Sequence, residues 1–459
     1  MLTVLTIAGA LIFSLVAFTS LRRASLLFIF LLPFTPRYLA LPIGSGDFAL
    51  SLRRIILVIV VIKIMWMLFM GSKSAWRTIK AAKKVSVFLA LIAVLYVIKF
   101  VATLHGAFPS GIPYLLNDFL YATVFVFLGL YLLENGTTLY EILKVVALSL
   151  VIALFLATFG KILGHPLLNG IAQVEVAIRA HTKNPLAGAY RNGEYRVMGG
   201  FDNPLLLAEF ISIVIWPCLA MLAADVRKKT WLLLVFFSLL VLYFTGARSG
   251  MVVPASVMIM AITMYMTYKM EDQSRIALWL FLFITVPLAA YFVTVELLIP
   301  AFQALNPATS ATSRSAYARI NQYLEVWRLF QQRPYLGWGM RPVYGRSIQD
   351  LGTLDNYYLV LVLQGGLGAL AITIVTQAYV LWKMFRAYLK THGFIYFLAL
   401  GMALLAAALY ELFVAEPTNH VYFYLLATCG LWLWYEKRGA LKLVRNNPEV
   451  HAEWNCGEN

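Results

Sequence analysis

Apolar runs about as long as a bilayer is thick follow one another from end to end of this chain, and that recurrence restricts its fold more than any other feature. A run of roughly 20 residues crosses the hydrocarbon core as a helix, since no water is there to satisfy an unpaired backbone group. The period-two alternation of an outer-membrane barrel does not occur. Charge content agrees: 13% of residues are charged and 61% hydrophobic, where soluble domains hold about 25% charge. The expected fold class is all-α, a polytopic membrane protein with 12 or 13 transmembrane helices and one large loop carrying an amphipathic helix.

Spans are expected near residues 3–20, 24–43, 55–71, 85–104, 114–133, 141–164, 203–224, 230–246, 250–268, 276–299, 356–382, 394–413 and 420–435. The second is interrupted by Pro33, Pro36 and Pro42, so the total stays at 12 or 13 and the side of Met1 stays open. The first ends at Arg22 and Arg23 without a small-residue cleavage pattern and reads as a retained span rather than a signal peptide. The divisions are then 1–164 (N-terminal helices), 165–202 (first long polar segment), 203–300 (central helices), 301–355 (large polar loop), 356–436 (C-terminal helices) and 437–459 (tail). Cys218, Cys429 and Cys456 form no disulfide framework; the first two sit in apolar spans as packing residues.

Orientation follows from lysine and arginine in short loops. Lys73 to Lys84, Arg227 to Lys229, Lys269 with Arg275, Lys383 to Lys390 and Lys437 to Arg445 all fall on one side when the spans are counted. That side is expected to be the cytoplasm, so the net charge of +16 belongs to membrane topology and not to nucleic-acid binding. Residues 165–202 and 301–355 then face outward.

The outer segments are nevertheless basic. The first carries Arg179, Lys183, Arg191 and Arg196; the second carries Arg314, Arg319, Arg328, Arg333, Arg341 and Arg346 against Glu325, Asp350 and Asp355. Snorkelling and headgroup contact account for individual arginines. As a set they point to a strongly anionic ligand, because the guanidinium fork binds phosphate in a bidentate manner and stays charged when desolvated. The inner clusters, by contrast, are rich in lysine.

From Ser315 to Gln332, Tyr317, Ile320, Leu324, Trp327 and Phe330 recur at helical spacing among polar residues, which predicts an amphipathic helix ended by Arg333 and Pro334. Gly337 and Gly339 in the following YLGWGM mark a tight turn or a close backbone approach. Trp327 and Trp338 are expected as interfacial anchors. Asp355 and Asn356 stand where the loop returns to the bilayer; Asp355 suits the helix N-cap as well as a catalytic carboxylate. Gly365, Gly366, Gly368 and Ala369 read as a close-packing patch between helices. In Thr245 to Gly250, TGARSG, Arg248 lies at the end of one span and the start of the next, a costly place unless it snorkels, pairs or meets an anion.

RVMGGFDNPLLLAEF, LYFTGARSG, the stretch from Arg319 through EVWRLFQQRPYLGWGM, and DNYYLVLVLQGGLG together resemble, in order and spacing, the bacterial O-antigen ligase and O-antigen/exopolysaccharide polymerase family over roughly residues 190–380. The resemblance implies a GT-C-like glycosyltransferase that takes a glycan from undecaprenyl diphosphate on the periplasmic face of the bacterial inner membrane. It implies that Arg248 and Arg319 grip the diphosphate. Arg314, Arg196, Arg191, Arg341 and Asn356 are expected as further substrate-binding residues. Family ligases commonly carry His-Asn where this chain has Asp355-Asn356, a departure that favours the polymerase branch.

The expected reaction is inverting transfer, with Asp355 accepting the acceptor-hydroxyl proton and the arginines stabilising the departing lipid diphosphate. No DxD pair or His/Cys cluster occurs in the outer segments, so neither metal nor cofactor is expected. Partners would be the lipid-linked donor, a glycan or lipid A core acceptor, the bilayer, and candidate chain-length regulators and export proteins. A ligase acting on lipid A core is the first alternative. A flippase for lipid-linked glycans would need charge along a midplane cavity, whereas here the charges gather on one face. A non-enzymatic scaffold would need neither the arginine excess nor Asp355.

Overall fold

The computed structural model describes residues 2–35, 40–41, 50–106, 111–165, 190–191, 194–201, 203–224, 228–269, 311–340, 354, 356–391, 394–414 and 419–446. For residues 2–3, 34, 40, 50, 191, 194, 224, 248, 266–269, 311–320 and 438–446, the backbone alone is described. The helices are α1 (Leu2–Thr19), α2 (Leu21–Leu31), α3 (Leu52–Phe69), α4 (Lys73–Ala81), α5 (Ser86–His105), α6 (Ile112–Glu134), α7 (Leu139–Leu163), α8 (Pro204–Ala224), α9 (Lys228–Phe244), α10 (Arg248–Lys269), α11 (Ala311–Gln332), α12 (Tyr357–Lys390), α13 (Ile395–Tyr410) and α14 (His420–Asn446). Two antiparallel ladders of two residues a side, Ala40–Leu41 with Leu50–Ser51 and Tyr190–Arg191 with Glu194–Tyr195, are the strands among the described residues.

This is an all-α, multi-pass membrane protein. Among the described residues five helices are long and apolar enough to cross a bilayer, and three shorter apolar helices accompany them. Every expected span has its helix except 276–299, which lies outside the described residues. In the second run the helix stops at Leu31 and passes into a 3-10 turn that contains Pro33, as a proline without an N–H requires.

Helix α8 is the centre of the bundle: 83% of its apolar window is buried, against α7, α9, α10 and α13. Asn203 caps it by accepting from the Leu206 N–H at 2.9 Å, and Pro204 takes the first-turn position where its missing donor costs nothing. At the lipid-facing side, α9 exposes Leu232, Leu233, Phe236, Phe237, Leu240 and Tyr243. Apolar exposure of this kind suits hydrocarbon and needs no partner.

Helix α12 is broken. Gly365 (φ −146°, ψ 18°) and Gly366 (φ 62°, ψ −157°) leave helical geometry and divide it into a short leading half, Tyr357–Gln364, and a long trailing half. Gly365 and Gly368 pack closely against Ile98 of α5, as expected, and Gly365 and Gly366 in addition unwind the helix inside a span. Backbone groups freed there must find partners. The YLGWGM loop supplies them, since Trp338 N–H donates to the Leu363 carbonyl (2.6 Å), Gly339 N–H to the Gln364 carbonyl (3.2 Å), and Leu367 N–H to the Pro334 carbonyl (2.8 Å).

The approach is close enough that a Cβ at Gly337 would sit 2.6 Å from the Leu363 oxygen, and one at Gly366 would sit 2.4 Å from the Tyr335 carbonyl. Trp338 is drawn into this junction, donating Nε1–H to the Leu329 carbonyl at 3.1 Å with the Arg333 guanidinium 4.5 Å from its ring. It packs here, half-buried. Trp327 stays exposed, as an anchor would.

Candidate functional site

One end of the bundle collects the ends of α5, α9 and α13 and the beginnings of α8, α10, α12 and α14. Arg196 leads into α8 and donates from Nε to the Thr245 carbonyl at 2.9 Å, while Val197 N–H donates to the Phe244 carbonyl at 3.2 Å. RVMGG and TGARSG, 49 residues apart in sequence, thus form one structure. The turn is closed internally by Thr245, whose hydroxyl donates to the Leu242 carbonyl and accepts from Ala247 N–H. Arg248 is the first residue of α10, and its neighbour Ser249 donates to the Tyr410 hydroxyl at 3.3 Å.

From Tyr410 the network continues through the α13–α14 turn into α12. Tyr357 N–H donates to the Glu411 carbonyl at 2.8 Å. The Glu411 carboxylate accepts from Gln377 Nε2 at 2.7 Å and pairs with His420 Nε2. Tyr358 Oη lies 3.0 Å from Gln377 Oε1, so Gln377, on the trailing half of α12, is tied to the leading half across the break.

At the helix start Asn356 accepts from Leu359 N–H at 3.2 Å and so is the N-cap, correcting the assignment of that role to Asp355. Asn356 also donates from Nδ2 to the Tyr323 hydroxyl at 3.1 Å, which seats α11 on this helix start. Tyr323 lies four residues beyond Arg319, hence on the same side of α11 one turn along.

The expected site residues are placed unevenly. Arg196 and Asn356 are fully described and belong to this network. Arg248, Arg314 and Arg319 are placed by their backbones, the first on the turn and the other two on α11; Arg191 pairs with Glu194 in its ladder. Asp355 and Arg341 lie outside the described residues. So do Arg179, Lys183, Arg346 and Asp350.

Sequence reasoning passed over a set of buried ionisable groups beneath this end. Lys99 on α5 is 1% exposed, its ammonium 3.5 Å from Tyr357 Oη and near the rings of Tyr96 and Tyr357. Asp118 and Glu411 supply its opposing charge. Glu209 on α8 is 2% exposed and accepts from Asn419 Nδ2 at 2.7 Å, while the same amide reaches the Leu206 carbonyl. His420 packs edge-on to Tyr357 with 4.7 Å between ring centroids. A signal was present, because a charge inside an apolar run is costly enough that it marks a built site. Outside the spans, burial pushes the Tyr195 phenol up to about 12.

Among the described residues no group of three or more His, Cys, Asp or Glu is arranged to hold a metal ion. The chemistry on offer is hydrogen bonding and fixed charge at one end of a helical bundle.

The fold and this end define a class: a multi-pass helical membrane protein in which a polar loop completes an interrupted span. Residues 233–374 match the O-antigen ligase family model, so the chain carries the domain of that family. The matched stretch runs from α9 through the TGARSG turn, α11 and YLGWGM to the middle of α12. No curated protein matches the chain. The match supports a ligase- or polymerase-type glycosyl transfer role, with lipid-linked glycan and an acceptor as substrates.

Proposed function

We propose that the protein is a polysaccharide polymerase of the inner membrane. It transfers glycan from an undecaprenyl-diphosphate donor to a hydroxyl of an acceptor glycan on the periplasmic face, with inversion and without a metal. The acceptor oxygen attacks the anomeric carbon and its proton passes to Asp355. The bond from that carbon to the phosphate oxygen breaks, and the electron pair leaves on the lipid diphosphate. Arg248 and Arg319 stabilise that charge as it develops, assisted by Arg314, Arg196, Arg191 and Arg341.

The observation that supports this reading best is that the family match contains Arg248, Arg319 and Asn356 together, and that the turn before α10, the start of α12 and α11 are joined at one end by Ser249–Tyr410, Tyr357–Glu411 and Asn356–Tyr323. A ligase that uses lipid A core as acceptor is the second reading, favoured by the family's own description; Asp355 in place of histidine favours polymerase.

Incubating purified protein with a defined undecaprenyl-diphosphate oligosaccharide, alone and then with lipid A core, separates the two. Chain growth with the first alone means polymerase, and product that requires the second means ligase. Arg319→Ala and Arg248→Ala are expected to abolish either product in correctly inserted protein, and full activity would remove that arginine from the mechanism.

A further inference from the structure

We propose that Glu411 is the positioning residue of this site, holding the leading half of α12 in register with the TGARSG turn. The inference rests on the transfer reading above and adds to it a residue outside the matched family segment.

The leading half, Tyr357–Gln364, begins at Asn356 and ends at the glycine break. Eight residues make little more than two turns, too few for a helix to hold its own place. Its position is set from outside. Glu411 contributes at three points: its carbonyl accepts from Tyr357 N–H, its carboxylate accepts from Gln377 on the trailing half, and the same carboxylate pairs with His420, whose ring packs against Tyr357. Tyr410, the preceding residue, contacts Ser249 beside Arg248. Two consecutive residues therefore join the turn that presents Arg248 to the helix that presents Asn356.

Glu411 is 3% exposed and Tyr410 fully buried. Such a burial suits a support beneath a site better than a group that meets substrate. Lys99 on α5, Asp118 on α6 and Glu209 on α8 complete the charged surroundings.

Truncating the carboxylate releases Gln377 and His420 together, so the leading half loses its side-chain supports and keeps only the backbone bond from Tyr357 N–H to the Glu411 carbonyl. A displacement of about 1 Å in a reacting group costs on the order of 100-fold in rate. Glu411→Ala is therefore expected to lower kcat about 10–100-fold with donor KM changed by less than about 3-fold. Glu411→Gln keeps an acceptor for Gln377 and a partner for His420, so it is expected to remain within about 3-fold of wild type. Hydrogen exchange at Tyr357–Leu363 should quicken about 10-fold in Glu411→Ala, while exchange from Leu370 to Lys390 stays unchanged.

Unchanged exchange in the leading half overturns the proposal whether or not transfer is detected. So does a wild-type kcat per folded molecule for Glu411→Ala. If the wild-type protein fails to transfer glycan from undecaprenyl diphosphate, the function above falls and the exchange measurement still decides the role of Glu411.

Discussion

Gly366→Ala tests whether the interrupted helix is built as described. At φ 62°, ψ −157° the backbone sits in a region open essentially to glycine, and forcing alanine into it costs about 1–3 kcal/mol. The added methyl would also sit 2.4 Å from the Tyr335 carbonyl carbon and oxygen and 2.6 Å from the Pro334 oxygen. Those are backbone atoms and cannot swing aside. They must retreat, which breaks the Leu367 N–H to Pro334 bond of 2.8 Å and strands a donor, at about 1–3 kcal/mol. The sum is roughly 2–6 kcal/mol.

Extrapolated to a chain of this length, that amounts to a fall of about 5 °C in the unfolding midpoint of the detergent-solubilised protein. Gly71→Ala is the control: its φ is also positive, but nothing lies within 4 Å of the added methyl, so only the left-handed penalty of about 1–2 kcal/mol applies. If Gly366→Ala melts within about 1 °C of Gly71→Ala, the loop does not complete the helix as argued.

Three further outcomes are expected. Lys99→Met removes the ammonium near Tyr357 whose charge Asp118 and Glu411 oppose and should destabilise by about 1–3 kcal/mol, read as a lower melting midpoint; an unchanged midpoint would show that Lys99 does not hold this end together. Asn356→Ala removes both the cap and the bond to Tyr323, whereas Tyr323→Phe removes only the second. The alanine variant should be the less stable by about 1 kcal/mol, with faster exchange at Leu359, and equal stability would refute the cap. Finally, EDTA should leave transfer unchanged, and a loss restored by magnesium would contradict a metal-free reaction.

The spans were readable because an apolar run of 20 residues has few alternatives, and the amphipathic face of α11 was readable from its helical spacing, though the helix starts earlier, at Ala311. Gly337 and Gly339 signalled a close approach, and both were found in one. What they approach was not legible: Gly337 meets the Leu363 carbonyl, exposed only because Gly365 and Gly366 unwind their helix, and Gly339 lies against Thr103 of α5 while donating to the Gln364 carbonyl. Glycines that loosen a helix and glycines that let two helices touch look alike in sequence. The Asp355 cap assignment failed by one residue because both Asp and Asn cap helices and the sequence alone does not say which of the two neighbours the helix starts from. Glu411, His420 and Gln377 come from separate segments and carry no local motif, so only the fold shows that they meet.

The depth of the buried charges bears on what this end of the bundle can do. Lys99 lies six residues before the end of α5 and Glu209 five residues after the start of α8, hence about 8–9 Å inside their helix ends at 1.5 Å per residue. Charges so placed are too deep to be loop residues and too shallow to form a pathway through the bilayer. Their neighbours are structural: Tyr357 and Tyr96 for Lys99, Asn419 and the Leu206 carbonyl for Glu209. Each thereby fixes an element that begins or ends at the site, α12 in one case and α14 in the other. Fixed dipoles and charges stabilise a departing diphosphate only if they do not have to reorganise when it forms. A helix half of eight residues, an interrupted span and a three-residue turn supply no such rigidity alone. The buried charges, the Glu411 contacts and the loop backbone threaded through the break supply it from three sides.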